Sequence, residues 1–321
     1  MKAKKILMHL LIPLSMVGAV NADTHADGLE WDLYGSLRLA GEVVDTDGNT
    51  KDYEGLRDAY TRFGVKATYI INDEWSLLGQ LEAPFDLANM ELQSPWDATE
   101  DYRIAKLQIS GPLGTAWYGR GWLAFYNYIT YPVDYFSSYY SGWQTYTSFR
   151  KSQTFYYSSP TLAGFKFDFA NTDEDDNDRN QYVLSYSNAG LGVAIGRDDY
   201  DGATIDGASV SYTTGPWYLA VKYEQQDRDN ATDRETVAGL VQYAIDEKNT
   251  VRGYLADGEG VGEEAFQIGL DHQYNDATKF FAEYYDEAGA AAVNAERDPA
   301  KYNAVGGSVF TVGVRYDFST K

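Results

Sequence analysis

The residue types that enzymes use for nucleophilic catalysis are scarce in this chain. Its 321 residues include three histidines and no cysteine, so a thiolate nucleophile is excluded. A serine nucleophile would need His25 or His272 as its base, because the third histidine lies in a segment that we expect to be removed. The Gly-x-Ser-x-Gly motif of serine hydrolases is absent. The sequence therefore disfavours an enzyme.

A run of four carboxylates, Asp173-Glu174-Asp175-Asp176, raises the question of a metal site. Clustered oxygen ligands suit hard cations such as Ca²⁺ and Mg²⁺. The run lacks the ordered ligand spacing of a calcium-binding loop. We expect at most loosely bound Ca²⁺ or Mg²⁺ at such acidic stretches, and no cofactor.

Arginine and lysine occupy the polar faces of segments in which polar and apolar residues alternate. In one segment Arg62 and Lys66 alternate with Phe63, Val65 and Tyr69. A period of two residues is typical of β-strands. Because charged side chains belong in water, the apolar faces of these strands must meet different surroundings.

The last segment of the chain has the clearest alternation. One face carries Phe310, Val312, Val314, Tyr316 and Phe318, and the other carries Thr311, Gly313, Arg315 and Asp317. The first strand alternates in the same way, with Arg38 on its polar face. A soluble sandwich of two sheets would pack one of these faces against the second sheet. Repeated charges on the polar face, with apolar side chains opposite, fit a membrane barrel better.

The N-terminus has the composition of a secretory signal. Lys2, Lys4 and Lys5 precede an apolar stretch that is broken by Pro13. Small residues before Ala22 suit a signal peptidase, so residues 1–22 are predicted to be a signal peptide. The apolar stretch is too short and too interrupted for a membrane anchor.

Short turns divide the rest of the chain into hairpins. They are Asn72-Asp73, Gly111-Pro112, Ser159-Pro160, Asn188-Ala189-Gly190, Thr214-Gly215-Pro216, Asp246-Glu247-Lys248-Asn249 and Asn275-Asp276. All use residues that favour tight turns, and longer acidic stretches lie between them. Seven such turns, with both termini on the same side, predict 16 strands.

These features predict an all-β fold: a 16-stranded antiparallel transmembrane β-barrel with short periplasmic turns and long outer loops. Closure leaves no unpaired strand edge in lipid, and 16 strands leave an aqueous channel. Beyond the signal, no apolar run approaches the roughly 18 residues of a spanning helix. Residues 23–321 are predicted to form this single domain, in the outer membrane of a Gram-negative bacterium.

Charge and aromatic content agree with this class. The formal net charge is −22 at pH 7, and removal of the three signal lysines makes the chain more negative. Such a surface repels DNA and RNA, so no nucleic-acid partner is expected. Aromatic residues make up 15% of the chain, which suits barrels that carry aromatic girdles at both membrane interfaces.

Four stretches resemble general diffusion porins of Gram-negative bacteria. They are Asp32-Leu33-Tyr34-Gly35 and residues 59–82, 102–121 and 150–170. The resemblance extends over the mature chain as a pattern and is most specific in these stretches. It implies passive diffusion of ions and small hydrophilic solutes through a water-filled channel. It also implies a homotrimer and a third outer loop that folds into the barrel.

In porins of this kind, basic side chains on the wall face acidic groups on the inward-folded loop. The resemblance and the alternation assign the pore constriction to Arg38, Arg62, Arg103, Arg120, Arg150, Lys66 and Asp134. Arg38 shares the inward parity of Ser36, which stands where enteric porins have a lysine. The inward loop is expected at about residues 122–146, where Asp134 is the only acidic residue.

The expected inward loop is rich in aromatic residues. Among them, Tyr126, Tyr128, Tyr131, Tyr135 and Tyr139 are candidates to line the pore. Exposed rings would stack on sugars, so a sugar- or oligosaccharide-selective porin is the alternative function. Packing of the loop against the wall, or anchoring at an interface, accounts for the same residues.

The chain departs from the porin pattern in three places. The Pro-Glu-Phe-Gly-Gly motif of the enteric loop is absent, and residues 319–321 extend past the last aromatic, where the usual assembly signal is a terminal aromatic. If Arg103 faces the pore, strict alternation turns Lys106 outward. A lysine at the bilayer midplane would cost about 2–4 kcal/mol. A bulge, or a neighbouring subunit over that wall, would remove the conflict.

The sequence leaves the preference between cations and anions open. The acidic outer loops enrich cations near the mouth, which weakly favours cations, whereas an arginine wall favours anions at the constriction. Expected partners are outer-membrane lipid, lipopolysaccharide, further copies of the chain, and small polar solutes. A plugged structural or receptor barrel is a remote alternative, because no plug domain is visible in the sequence.

Overall fold

The computed structural model describes residues 28–47, 52–94, 101–138, 140, 142–174, 177–294 and 304–321. The predicted signal peptide lies outside these residues. Within them, no helix is long and apolar enough to cross a membrane.

The described residues form one sheet of 17 antiparallel strand segments. They are β1 (Leu29–Thr46), β2 (Tyr53–Asp58), β3 (Arg62–Ile70), β4 (Ser76–Pro84), β5 (Ile104–Gly111), β6 (Gly114–Trp122), β7 (Arg150–Ser158), β8 (Phe165–Glu174), β9 (Asn177–Asn188), β10 (Leu191–Tyr200), β11 (Ala203–Thr214), β12 (Trp217–Arg228), β13 (Arg234–Ala244), β14 (Asn249–Gly258), β15 (Glu263–Gln273), β16 (Thr278–Glu287) and β17 (Gly307–Ser319). From β3 to β17 each segment pairs with its neighbours in sequence, β1 pairs with both β2 and β3, and β1 also pairs with β17 to close the sheet.

Two of the segments make up a single barrel strand. Both β2 and β3 pair with β1, at its second and first half respectively. They are separated at residues 59–61, where Tyr60 has a φ of 70°. The barrel is therefore closed by 16 antiparallel strands, and the predicted strand number is confirmed.

The strands place apolar side chains on the outside of the barrel and polar side chains inside, which is the reverse of a soluble barrel. In β17, Phe310 and Val312 are about half exposed on the outer face, whereas Thr311 is buried on the lumenal face. In β1, Arg38 and Glu42 are buried towards the lumen. The apolar outer faces suit contact with lipid, and the polar inner faces suit a wet lumen.

Side-chain hydrogen bonds stabilise the short turns. In the turn between β13 and β14, the Asp246 carboxylate accepts the backbone N–H groups of Lys248 and Asn249, both at 2.8 Å. In the turn between β15 and β16, the Asn275 side-chain oxygen accepts the N–H groups of Ala277 and Thr278. These Asx turns are the geometry for which such residues are favoured.

The connection between β6 and β7 contains the helical turns of the described residues. A π-helical turn spans Tyr126–Thr130 and a 3-10 turn spans Tyr131–Val133. Both lie against the lumenal face of β10 to β13. Two clusters of buried apolar side chains fill the space between this connection and the wall, so the core of the protein lies inside the barrel.

Candidate functional site

The β6–β7 connection, residues 123–149, is called the inward loop here, and its described residues lie in the lumen. Glu224 on β12 anchors it. The Glu224 carboxylate accepts the hydroxyl groups of Thr130 at 3.1 Å and Thr145 at 2.8 Å, and the N–H of Tyr146 at 3.0 Å. Lys222 forms an ion pair with Glu224 at 2.6 Å, and both side chains are fully buried. Buried charges require such pairing, because an unpaired one is strongly destabilising.

A second buried carboxylate holds the middle of the loop. Glu283 on β16 accepts the backbone N–H groups of Ser137 at 2.7 Å and Ser138 at 3.0 Å. Hydrogen bonds from backbone N–H groups to a carboxylate are among the stronger ones in proteins. The loop is thus attached to the wall at several points along its length.

Two wall glycines make room for aromatic rings of the loop. A Cβ at Gly207 would lie 2.4 Å from the Phe125 ring, and one at Gly269 would lie 3.0 Å from the Phe136 ring. Phe125 is completely buried. A side chain at either glycine would displace the loop towards the centre of the pore.

Between the inward loop and the opposite wall lies a cavity of about 360 Å³. Its lining residues are Arg38, Tyr60, Arg62, Arg103, Trp122, Tyr126, Tyr131, Asp134, Tyr135, Phe136, Ser138, Trp143, Phe149, Arg150, Arg252 and Arg315. Six of them are arginines and one is acidic. The cavity is therefore the narrow, charged part of the lumen.

The six arginines form an arc on the strands that face the loop, called the arginine wall here. It consists of Arg38 on β1, Arg62 on β3, Arg103 just before β5, Arg150 on β7, Arg252 on β14 and Arg315 on β17. Four were predicted from the sequence. Since β14 to β17 and β1 to β7 adjoin across the closure, the arc occupies the side of the barrel opposite β10 to β13.

Asp134 lies on the loop side of the cavity, as predicted. The Tyr126 hydroxyl donates a hydrogen bond to its carboxylate at 2.5 Å. Burial and the adjacent Asp134 raise the pKa of Tyr126 well above its ordinary value. The phenol therefore keeps its proton and remains a donor at neutral pH.

Three arginines of the wall have carboxylate partners nearby. Arg103 pairs with Glu82 at 2.9 Å. Arg315 pairs with Asp317 at 2.6 Å. Arg252 pairs with Asp271 at 2.5 Å, and Lys279 shares that carboxylate at 2.8 Å. These pairs neutralise part of the positive charge of the arginine wall.

The assignment of Arg120 to the constriction was wrong. The pairing of β6 with β5 is regular through Arg120, and the register shift between Gly119 and Gly121 concerns only the pairing of β6 with β7. Arg120 lies opposite Ala105 in register. Ala105 shares the outer face of β5 with the exposed Leu107, so Arg120 also lies on the outer face. Its guanidinium donates to the Tyr102 carbonyl at 2.7 Å and does not line the cavity.

Lys66 faces the lumen, as its parity predicts, but it does not line the cavity. Its ammonium lies 3.8 Å from Asp32 and 4.4 Å from the centre of the Tyr34 ring. Because β3 runs from Arg62 towards the periplasmic turn, Lys66 lies below the arginine wall. The structure thus places Lys66 on the predicted face but outside the cavity, so it does not belong to the constriction.

The conflict between Arg103 and Lys106 is resolved at the start of β5. Arg103 precedes the strand, and regular alternation begins only at Ile104. Lys106 therefore also faces inward, where its ammonium donates to the Gln108 side chain at 3.1 Å and lies over the Trp117 ring. No lysine of this strand is placed in lipid.

The aromatic residues of the loop divide into two groups. Tyr126, Tyr131 and Tyr135 line the cavity. Tyr128 does not; its hydroxyl accepts a hydrogen bond from Lys166 at 3.0 Å, against the wall. Tyr139 lies outside the described residues.

Most of the rings pack on one another. Trp122 and Tyr126 stack with 4.8 Å between ring centres, and Tyr135 stacks on Tyr218 of β12 at 4.8 Å. Among the predicted loop tyrosines that line the cavity, Tyr131 has a half-exposed side chain, at 49%. Packing of the loop therefore accounts for most of its aromatic content.

Arg252 and Arg315 are site residues that the sequence analysis did not assign. Arg315 stands on the polar face of the last strand, and in register it lies directly opposite Arg38. That register could not be read from the sequence, because closure of β1 on β17 sets it. Nothing in the sequence around Arg252, apart from the alternation of β14, marks it as a site residue.

The predicted acidic run is only partly described, since residues 175 and 176 lie outside the described part of the chain. Within that part, no group of three or more histidine or acidic side chains is arranged to hold a metal ion. His272 is exposed next to Asn249, on the outer side of its strand.

Comparison with known proteins agrees with this architecture. A family model described as "Gram-negative porin" matches residues 14–292. The outer membrane protein Omp-EA of Erwinia amylovora is 33% identical over 129 residues, which are 39% of this chain and 33% of that protein. The match thus spans about a third of the relative's length.

Solved structures share the fold over almost the whole chain. OmpF of Salmonella typhi, solved with daunomycin, has a TM-score of 0.70 at 19% identity and covers 92% of this chain and 99% of its own. An anion-selective porin from Comamonas acidovorans has a TM-score of 0.71 at 17% identity, covering 90% and 100%. OmpT of Vibrio cholerae in its trimer form has a TM-score of 0.67 at 16% identity, covering 91% and 100%. With the closed barrel, the inward loop and the family match over most of its length, the chain belongs to the Gram-negative porin family of outer-membrane diffusion channels.

Proposed function

We propose that ions and small hydrophilic solutes diffuse passively through this barrel, without any catalytic step. The observation that carries the proposal is the cavity between the arginine wall and the inward loop, which is lined by charged and polar groups. Flow through such a constriction is governed by its width and its charges.

We infer a preference for anions at the constriction. Among the described residues, six arginines and one carboxylate line the cavity. Acidic side chains at the mouth favour cations, as the sequence suggested, but exposed charges are screened over about 8–10 Å at physiological salt. Solutes pass the arginine wall at closer range than they pass the mouth, so the wall dominates.

Single-channel recording in a planar bilayer, under a KCl gradient, tests both statements. Discrete current steps are expected, with a reversal potential on the chloride side. A potassium-side reversal potential would overturn the anion preference. Absence of steps, from protein that retains β-sheet circular dichroism, would overturn the channel itself.

We also propose that the barrel works as a homotrimer in a lipopolysaccharide-containing membrane. The apolar outer face provides a surface for lipid and for neighbouring barrels, and OmpT of similar fold is known in a trimer form. The acidic outer stretches would meet the anionic lipopolysaccharide through loosely bound Ca²⁺ or Mg²⁺. Current steps that appear in groups of three, and a trimer mass in detergent, would support this assembly.

One observation favours a second candidate, a sugar-selective pore. Tyr131 lines the cavity, is half exposed and lies 5.3 Å from the Tyr135 ring, centre to centre. An exposed ring of this kind can stack on a pyranose. Blockade of the current by micromolar maltooligosaccharide would favour this candidate, and unimpeded current at millimolar concentration would reject it.

A further inference from the structure

Arg38 and Arg62 differ from the paired arginines of the wall. Arg38 is only 8% exposed, and its Nε donates to Ser36 at 2.9 Å. Arg62 donates to the Tyr60 carbonyl at 3.2 Å. Among the described residues, neither guanidinium has a carboxylate within 4.0 Å. A buried Arg38 and a partly buried Arg62 therefore line the cavity without a carboxylate in direct contact, although Glu82 and Asp317 attract Arg62 from a greater distance.

The charges around Arg38 add to the free-energy cost of burying its guanidinium. Arg62, Arg315 and Arg103 are electrostatic neighbours that repel it. The acidic neighbour that attracts it, Asp317, is already paired with Arg315. A buried charge is normally paired, because its desolvation is otherwise uncompensated.

A bound anion would supply the missing compensation. Guanidinium groups present several N–H donors in a planar fork that matches carboxylate and phosphate oxygens. The cavity of about 360 Å³ next to Arg38 and Arg62 is large enough for a small organic or inorganic ion. Two positive charges without a directly paired carboxylate match a doubly charged oxyanion better than chloride.

We infer that Arg38 and Arg62, with Arg315 and Arg103 beside them, form a binding site for small dianions with oxygen donors. Phosphate compounds and dicarboxylates share this chemistry. The inference rests on the channel function proposed above and goes beyond it, since a general anion preference needs no binding site. Solutes of this class would dwell at the constriction before they cross.

The test is the effect of inorganic phosphate on the chloride current through single channels. It is carried out at mildly alkaline pH, where phosphate is mainly a dianion. Phosphate should reduce the current in a saturable manner, with half-reduction at millimolar concentration or below. Succinate distinguishes the two solute classes: equal reduction means that the site accepts both, and a weaker effect means that it favours phosphate. Acetate, with one charge, should be at least about tenfold weaker, equivalent to about 1.4 kcal/mol.

Two variants locate the site. Arg38→Gln and Arg62→Gln should each raise the half-reducing phosphate concentration about tenfold or more, because each removes a charge-assisted contact. The matched control is Lys66→Gln, which removes a positive charge from the same side of the lumen but below the cavity. In Lys66→Gln the half-reducing phosphate concentration should stay within about twofold of that for the unsubstituted protein. This is well below the tenfold change that corresponds to about 1.4 kcal/mol. If Arg38→Gln fails to assemble, Arg62→Gln carries the test.

The outcomes separate this inference from the channel function. Channels that open normally but show a current linear in phosphate concentration would overturn the binding site alone. Equal reduction in the arginine variants and in the unsubstituted protein would also overturn it. A protein without current steps would overturn the channel function, and the site with it.

Discussion

Arg38 and Arg315 lie opposite each other where the first and last strands close the barrel. Like charges in opposed positions of a sheet are destabilising, so function rather than stability accounts for this pair. Asp317 relieves it by pairing with Arg315 at 2.6 Å. The arginine wall is thus an assembly of charges that the fold tolerates because carboxylates, and in our proposal solute anions, lie beside them.

At the scale of single residues, the role of Asp134 can be tested directly. Asp134→Asn removes the one acidic side chain that lines the cavity in the described part of the chain. A unit charge at about 4 Å in water contributes roughly 1 kcal/mol, so the ratio of chloride to potassium permeability should rise about fivefold. The reversal potential under a KCl gradient measures this ratio.

Tyr126→Phe is the matched control for that substitution. It removes the hydrogen bond of 2.5 Å to Asp134 but keeps the carboxylate charge. The permeability ratio should therefore change much less than in Asp134→Asn. A similar change in both variants would show that the position of the loop, and not the charge of Asp134, sets the preference.

At the scale of elements, the inward loop depends on two kinds of wall position, buried carboxylates that hold it and glycines that admit its rings. Glu224 contacts residues in both halves of the loop, and Gly207 leaves space for Phe125. The loop is therefore a packed part of the core and not a flexible insertion. Its position, and hence the width of the channel, should respond to changes in the wall.

Glu224→Gln should loosen the loop. It leaves Lys222 buried without its partner, which typically costs about 3–5 kcal/mol. We expect a lower urea midpoint of unfolding and a larger, noisier single-channel current. The double variant Lys222→Met with Glu224→Gln removes the unpaired charge and should recover much of the lost stability. Unchanged current and stability in Glu224→Gln would contradict the anchoring role.

Gly207→Ala should displace the inward loop from the wall. The added methyl group would lie 2.4 Å from the fully buried Phe125 ring, and such overpacking costs about 1–3 kcal/mol. A narrower channel with a smaller conductance is expected. Gly79→Ala is the matched control, because nothing lies within 4 Å of a Cβ there. Equal conductance in the two variants would show that the wall accommodates the methyl group without moving the loop.

At the scale of the whole molecule, the net charge of −22 and the arginine wall oppose each other in selecting ions. The acidic surface is exposed to solvent, whereas the wall lies inside the barrel. Screening by salt acts strongly on exposed charges and less on partly buried ones. The two contributions should therefore separate when ionic strength is varied.

We expect the preference for chloride to increase when the salt concentration is raised from about 0.01 M to about 0.1 M. Over this range the Debye length falls from roughly 30 Å to roughly 10 Å, which removes most of the long-range attraction of the mouth for cations. Reversal potentials measured at a constant concentration ratio would show the trend. A preference for potassium that persists as salt is raised would mean that charges inside the channel favour cations.

The sequence by itself determined the class of fold and the side of the wall on which most charges lie. A side-chain period of two is local, and turn residues act within a few positions, so alternation and turns were enough for 16 strands, for the apolar outer face and for the inward parity of Arg38, Arg62 and Lys66. The resemblance to porins added the inward loop and placed Asp134 on it.

Only the tertiary structure decided which charges meet. Arg315 joins Arg38 because closure of the barrel pairs β17 with β1, and Arg252 on β14 lines the same cavity three strands further along the sheet. Arg120 is outside the site because it lies on the outer face of β6, together with the exposed Tyr118. Lys66 is outside the site because of its height in the barrel. The register between distant strands, the position of a bulge and the packing of a loop depend on contacts far apart in the chain, which local alternation does not encode.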